Sequence, residues 1–297
     1  LASTFMLSTK AGKEAYVEPV IEGGSYRFTV RVGKPRDAEA AKRGTKLSRG
    51  ANFQCLMSGT PIASNHIYGE ANAGRMGARL MAIVAEGERG RVYLAPTAEM
   101  EGIALTAQPT WKPEVAMPEN PRWFSPPLYG LKTYGDLFTP RQLVALTTFS
   151  DLVQEARDRV RHDAIAAGLS DDGKGLEEGG AGATAYGDAV EIYLGFVISS
   201  LTDRMTTICT WDAGGPTWGT KMRNTFARQA IPMSWDFAEV NPLSTQSGSF
   251  GNSLDYTSKG AVCAGTVHGS AHQADAGTQT KSIDCVVSTD PPYYDNI

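Results

Sequence analysis

The sequence predicts an α/β protein, and three observations carry that prediction. Apolar and polar residues alternate over 26–32, a marked helix start lies at Thr139-Pro140, and a nearly continuous apolar run occupies 283–288. Alternation with a period of two describes a half-buried strand, and apolar residues at helical spacing after a capping signal describe a packed helix. A short unbroken apolar run describes a strand covered on both faces, as in a parallel sheet flanked by helices.

In chain order, residues 14–34 read as a hairpin. Tyr26, Phe28, Val30 and Val32 alternate with Arg27, Thr29 and Arg31, and Gly23-Gly24 supplies the turn. A second hairpin is expected at 79–95, with Leu80, Ala82 and Val84 on one side of Glu88-Arg89-Gly90 and Val92-Tyr93-Leu94 on the other. Over 107–130, Pro109, Pro113, Pro118, Pro121, Pro126 and Pro127 exclude regular helix or sheet, so this stretch reads as a connector laid over a surface.

At Thr139 the signals agree: an N-cap threonine, proline at the first helical position and Gln142 to complete a capping box. Leu143, Leu146, Leu152, Val153, Ala156 and Val160 carry this helix to about residue 166. Residues 168–187, rich in Gly and Asp, read as a mobile loop. A second long helix is expected near 188–210, with Val190, Tyr193, Leu194, Val197, Leu201 and Ile208 on its stripe. Short β-prone runs at 261–267 and 283–288 close the pattern. The chain therefore divides into a β-rich region (1–106), a connector (107–130), a helical region (131–240) and the start of a sheet-bearing core (241–297).

At 41% apolar and 20% charged, the composition of the 297 residues is that of an ordinary globular protein. No stretch is long and apolar enough to cross a bilayer, and the N-terminus lacks the pattern of a signal peptide. The first residue is Leu1 rather than Met, from which an internal piece of a longer chain is expected. Cys55, Cys209, Cys263 and Cys285 show no disulfide rhythm, which favours a reducing, cytoplasmic setting with the last three as free core thiols. Net charge is −4, but it is unevenly spread: 14 Lys and Arg against 8 Asp and Glu over 1–95, then 14 against 24 over 96–297. A basic N-terminal part is suited to following phosphates, although solvated charged faces give the same counts.

The chemically informative run is Ser288-Thr289-Asp290-Pro291-Pro292-Tyr293-Tyr294-Asp295-Asn296-Ile297. It follows the apolar run at 283–288, and open α/β sheets bind ligands at the carboxyl ends of their strands. An exocyclic amine on a nucleobase is a poor nucleophile, because its lone pair is delocalised into the ring. Acceptors placed on its hydrogens favour a pyramidal nitrogen. Asp290 and the carbonyl of Pro291 are suited to that task, with Pro291 and Pro292 holding the turn rigid. Tyr293 is suited to stacking on a base flipped out of the duplex. Tyr294 and Asn296, immediately after, are candidate substrate-binding residues. The competing reading is a Pro-Pro turn in which Asp290 caps and Tyr293 fills a groove.

This ending resembles the catalytic motif of amino-methyltransferases acting on DNA. More of the chain, from about residue 7 onward, is similar to adenine-specific DNA methylases described as carrying a zinc ribbon and often met in phage-defence loci. The matching stretches are 134–142 (Tyr-Gly-Asp-Leu-Phe-Thr-Pro-Arg-Gln), 226–233 (Phe-Ala-Arg-Gln-Ala-Ile-Pro-Met) and 235–242 (Trp-Asp-Phe-Ala-Glu-Val-Asn-Pro). The resemblance implies a partial Rossmann-like methyltransferase sheet at the C-terminus and methyl transfer from S-adenosylmethionine to the N6 amine of adenine. It also implies DNA as partner, together with defence-system proteins, and no membrane.

A glycine-rich cofactor loop would precede Leu1 and further strands would follow Ile297, so the 297 residues alone are expected to turn over little or not at all. Asp275, in Gln273-Ala274-Asp275-Ala276, resembles the acidic residue that accepts from the cofactor adenine; as a residue it also suits a surface turn. The ribbon is degenerate. Where a zinc knuckle has Cys-x-x-Cys-Gly, this chain has Cys55-Leu56-Met57-Ser58-Gly59, so a knuckle shape without metal is expected.

Arg228, Gln229, Trp235, Asp236, Glu239 and Asn241 read either as contacts to DNA or as a hydrogen-bonded network joining helix to sheet. His66, His268 and His272 are assigned no role. Cytosine-N4 methylation, methylation of a guanine amine in RNA, and a catalytically silent DNA-binding subunit are the alternative functions.

Overall fold

Gly23 and Gly24 both take positive φ, 58° and 76°, the backbone that a two-residue hairpin turn requires and that glycine adopts without strain. They close the first hairpin as the alternation predicts. Strand β1 (Met6–Ser8), β2 (Ala15–Glu22) and β3 (Ser25–Val32) form an antiparallel sheet in that order. β2 pairs with β3 in unbroken register from Ala15 opposite Val32 to Glu22 opposite Ser25. This computed structural model describes residues 1–215, 217–262, 273–275, 277–283 and 285–288. The catalytic motif expected at 290–293 lies outside them.

Helix α1 (Ala38–Arg43) follows, with the Asp37 carboxylate accepting from Ala40 N at 2.9 Å. Strands β4 (Phe53–Gln54) and β5 (Pro61–Ile62) make a short ladder, and helix α2 (Ser64–Asn72) packs behind it. The second hairpin, β6 (Ile83–Gly87) and β7 (Gly90–Leu94), turns at Glu88-Arg89 as expected. Helix α3 (Ala98–Ala104) buries no residue; its Glu101 carboxylate accepts from Arg79 Nε and Leu80 N.

The proline-rich connector has no regular ladder, but it is not confined to a surface. Met117, Pro126 and Tyr129 are buried, and a 3-10 turn spans Pro126–Tyr129. Proline removes a donor yet is itself apolar, so a stretch that cannot join a sheet can still line a core.

Helix α4 (Pro140–Ala166) has the cap read from sequence. Gln142 N donates to Thr139 Oγ1 at 3.3 Å, and Thr139 N donates to Gln142 Oε1 at 2.8 Å. Helix α5 (Ala183–Thr202) packs along it but is displaced from expectation, starting earlier and ending eight residues sooner. Its start is set by Asp171, whose carboxylate accepts from Thr184 N at 3.1 Å and from the Thr184 hydroxyl at 3.0 Å. The 168–187 stretch is therefore not one loop: Asp171 in its first half caps the helix that its last five residues, 183–187, begin. The end of α5 is set by Asp203, which accepts from Asn224 Nδ2 at 2.6 Å and Phe226 N at 3.0 Å and turns the chain away. Ile208 is buried, as its hydrophobicity requires, but lies beyond the helix.

Strands β8 (Thr210–Asp212) and β9 (Lys221–Arg223) form a third hairpin. Helix α6 (Phe250–Val262) begins at buried Ser249, whose Oγ accepts from Asn252 N, and Phe250 stacks on Phe149 of α4 at 4.9 Å.

Among the described residues the protein is mixed α/β, with six α-helices and antiparallel sheets of two or three strands. The Rossmann-like sheet is not among them. Residues 261–262 end α6 where a strand was expected, and the run at 283–288 is not a strand in its described residues. Ile283 lies in a turn, and Val286 and Val287 are exposed. Apolar character gives no ladder without a neighbour to accept its backbone bonds. Cys285 is exposed with this run, contrary to the core reading, while Cys209 is fully buried; Cys263 lies outside the described residues. No helix among the described residues is long and apolar enough to cross a membrane. The chain divides into two units, Leu1–Lys259 and Gly260–Ile297.

The Thr184 hydroxyl and N–H hold the Asp171 carboxyl down at about 2. A depressed acid stabilises the fold above its ordinary range and ceases to as pH falls through the folded value. Wild type is therefore expected to lose stability between about pH 4 and pH 2 more steeply than Asp171→Asn, read as thermal midpoint against pH. Parallel curves would show that Asp171 does not cap α5.

Candidate functional site

A cleft of about 2160 Å³ opens within the first unit. One wall is the β6 region with Arg79 and Glu86; another is the segment 233–247, which includes most of the third family-like stretch. Leu1–Leu7 and the β8–β9 hairpin complete it.

The segment 231–241 is positioned from several directions. Phe124 and Ile231 form a parallel bridge, and Met233 N donates to Ser125 Oγ at 2.8 Å. Trp235 packs edge-on against Phe53 at 4.9 Å and Tyr129 at 5.0 Å. Asp236 Oδ1 accepts from Ser3 N at 3.1 Å. Glu239 grips the start of α4: Oε1 accepts from the Thr139 hydroxyl at 2.7 Å, and Oε2 accepts from Arg141 Nε at 2.6 Å. A carboxylate there also complements the positive end of the helix dipole.

The first and third family-like stretches, about a hundred residues apart, thus meet through Glu239. Of the six residues whose reading was left open, Trp235, Asp236 and Glu239 are engaged in joining elements. Asn241 Oδ1 accepts from Leu243 N and shapes a turn. Arg228 and Gln229 are exposed. The Arg141–Glu239 pairing has no local signature in the sequence; only its place in two family-like stretches marks it.

Around Cys55 the chain folds as a tight loop between β4 and β5. Cys55 N donates to Thr60 O at 2.8 Å, Gly59 N donates to Cys55 O at 2.9 Å, and Gly59 takes a φ of 71°. The Ser58 hydroxyl and the N–H groups of Ser58 and Met57 hold the thiol below its ordinary range. Donors gathered around one sulfur are the environment a metal-bound thiolate has, but Ser58 occupies the position of the second thiolate. One thiolate and a hydroxyl do not make a zinc site. Among the described residues, no three His, Cys, Asp or Glu side chains are grouped to hold a metal ion. His66 is exposed on α2.

Asp275 lies in the second unit. It is exposed, and its Oδ1 accepts from Gly277 N at 2.9 Å, Thr278 N at 3.0 Å and Thr278 Oγ1 at 3.1 Å. The carboxylate is therefore fixed by its own turn. Asp290, Pro291, Pro292, Tyr293, Tyr294 and Asn296 lie outside the described residues, as do His268 and His272.

Burial pushes the Asp236 carboxyl above the usual range, against the opposing pull of its bonds from Ser3. A raised acid destabilises the fold once ionised, so its penalty appears as pH rises through the carboxylate range and beyond. Asp236→Asn, which keeps an acceptor for Ser3 N, is expected to gain in unfolding midpoint relative to wild type from about pH 4 upward. A constant difference across pH would refute the burial argument. Compared with protein-family models, curated proteins and solved structures, the chain matches none.

Proposed function

We propose that this chain is part of an S-adenosylmethionine-dependent DNA methyltransferase that modifies the N6 amine of a flipped adenine. The single observation that carries the reading is the sequence Asp290-Pro291-Pro292-Tyr293 directly after an apolar run. Its residue types match the chemistry of an amine that must be made nucleophilic. The three family-like stretches support it, two of them meeting through the Thr139–Glu239 and Arg141–Glu239 bonds.

In this mechanism Asp290 and the Pro291 carbonyl accept hydrogen bonds from the adenine amine, and Tyr293 holds the base flat by stacking. S-adenosylmethionine, when bound, would supply the activated methyl group, and the amine would give up one proton to solvent. Asp275 is the proposed acceptor for the cofactor's adenine amine; its exposure and its fixed turn are compatible with that task. A cytoplasmic setting, with access to DNA and to partner proteins of a defence system, belongs to the same proposal.

The test is mass spectrometry of nucleosides from cells carrying the intact gene. N6-methyladenine is expected. Asp290→Ala should reduce it by about 10²–10³-fold, the scale of losing one transition-state hydrogen bond, while leaving cofactor binding in place. N4-methylcytosine in its stead would reassign the substrate. Retained DNA binding with neither modified base would make the protein a silent subunit.

A further inference from the structure

Three loops distant in sequence converge at one end of the cleft. The turn over 9–13 is fastened to the β8–β9 hairpin: Thr9 N donates to Ala213 O at 2.9 Å and Thr9 Oγ1 to Gly214 O at 2.9 Å. The β6–β7 turn is fastened to the same hairpin by Arg91, which donates to the carbonyl and hydroxyl of Thr220 and lies over the Trp211 ring at 5.4 Å. The first and second loops also meet, since a Cβ placed on Gly90 would sit 3.8 Å from Lys13 Nζ.

Each loop brings exposed cations: Lys10 and Lys13 from the first, Arg89 from the second, Lys221 from the third. None of these four has an ion pair among the described residues. Of the acids nearby, Asp212 is neutralised by Arg223 at 2.9 Å, leaving Glu14, Glu88 and Glu86, the last accepting from Gln246 Nε2. Like charges brought together repel. Here the backbone bonds and the Arg91 latch hold them in place on a chain whose net charge is −4. Such an arrangement is stabilised by an extended anion that spans all three loops.

We propose that this three-loop corner is a docking surface for the phosphate backbone of duplex DNA, from which the duplex is led into the cleft. The identity of the anion rests on the DNA-directed reading above. Position favours a duplex over a lipid surface, because Arg91, Lys221 and Arg223 also line the cleft and a membrane cannot follow a concave path. The contacts are with phosphates, so binding is independent of base sequence and steeply salt-dependent.

The experiment measures binding of the 297-residue chain to a labelled duplex of mixed sequence over a salt series. The variant Lys13→Ala/Arg89→Ala/Lys221→Ala removes three cations that make no ion pair among the described residues. The control Arg43→Ala/Arg49→Ala/Lys174→Ala removes three exposed cations elsewhere that likewise make no ion pair among the described residues. The corner variant should flatten the slope of log affinity against log salt by about 2 to 3, from about 0.9 per phosphate contact, and weaken binding at least about tenfold near physiological salt. The control should stay close to wild type.

Equal loss in both variants, or no salt-dependent binding by wild type, would overturn the assignment. So would equally tight, corner-dependent binding to polyglutamate or to phosphatidylcholine–phosphatidylserine vesicles. Loss of methyl transfer does not enter this readout. A corner that binds DNA in a protein that makes no methylated base would sink the proposed activity and leave the surface standing.

Discussion

The indole of Trp235 ties together parts of the first unit that have no sheet in common. Two- and three-stranded sheets cannot bury a core alone, because each face needs another layer against it. Here the layer is supplied by aromatic edges. Trp235 meets Phe53 from the β4–β5 ladder and Tyr129 from the connector, while Tyr68 of α2 closes on Tyr129 at 5.1 Å. Phe53 is fully buried. Each such pair contributes about 0.5–1.5 kcal/mol beyond the area it buries, and their mutual orientation fixes how the segments cross. The Tyr129 hydroxyl is pushed up by burial and by Tyr68, so it stays protonated as a member of this packing.

Once Trp235 is fixed, the residues after it have little freedom. Two positions lie between Asp236 and Glu239, and the first is held at Ser3 while the second is held at the N-terminus of α4. The segment therefore forms one wall of the cleft and also ties the helical pair to the N-terminal residues ahead of β1. The two carboxylates differ in their electrostatics. Glu239 has an adjacent cation and a helix dipole to meet its charge, whereas Asp236 is bonded by backbone and hydroxyl groups, lies within reach of the Leu1 ammonium and is penalised by burial. A paired carboxylate at a helix start is a structural anchor. A half-buried acid facing a cleft is the kind of group whose charge changes with what enters beside it.

What the sequence made legible was local. The Gly23-Gly24 turn, the second hairpin and the Thr139–Gln142 box depend on residues within a few positions of one another, and all three form, although the first strand of the second hairpin starts only at Ile83 and leaves out Leu80 and Ala82. The ends of α5 were not legible, because helical spacing continues through Ile208 while its start is set by Asp171, thirteen residues before Thr184, and its end by Asp203, whose partners Asn224 and Phe226 lie about twenty residues on. The connector misled in a related way: proline density shows that no ladder forms but is silent on burial, and Met117 and Tyr129 are core residues. The run at 283–288 has strand composition, yet its described residues are not in a strand. Of the candidate site, the proposed catalytic motif rests on residue chemistry and resemblance alone. The cleft and the Arg141–Glu239 junction depend on contacts across about a hundred positions, for which residue spacing gives no rule.

Charge shows the same limit in a form that bears on function. Counting by segment gave an excess of cations over 1–95, but the fold redistributes it. Arg27, Arg31, Arg75 and Arg79 belong to that excess, and each is answered by a carboxylate, Glu22, Glu18, Glu70 and Glu101. Lys221 lies in the acidic half and yet stands with Lys10 and Lys13. A cation already paired has a competing partner and releases no counterion when a phosphate arrives; an unpaired one does. The quantity that matters for a polyanion is therefore the number of unanswered cations sharing a surface. In this protein the bonds from Thr9 and Arg91 set that number, by bringing three loops to one place.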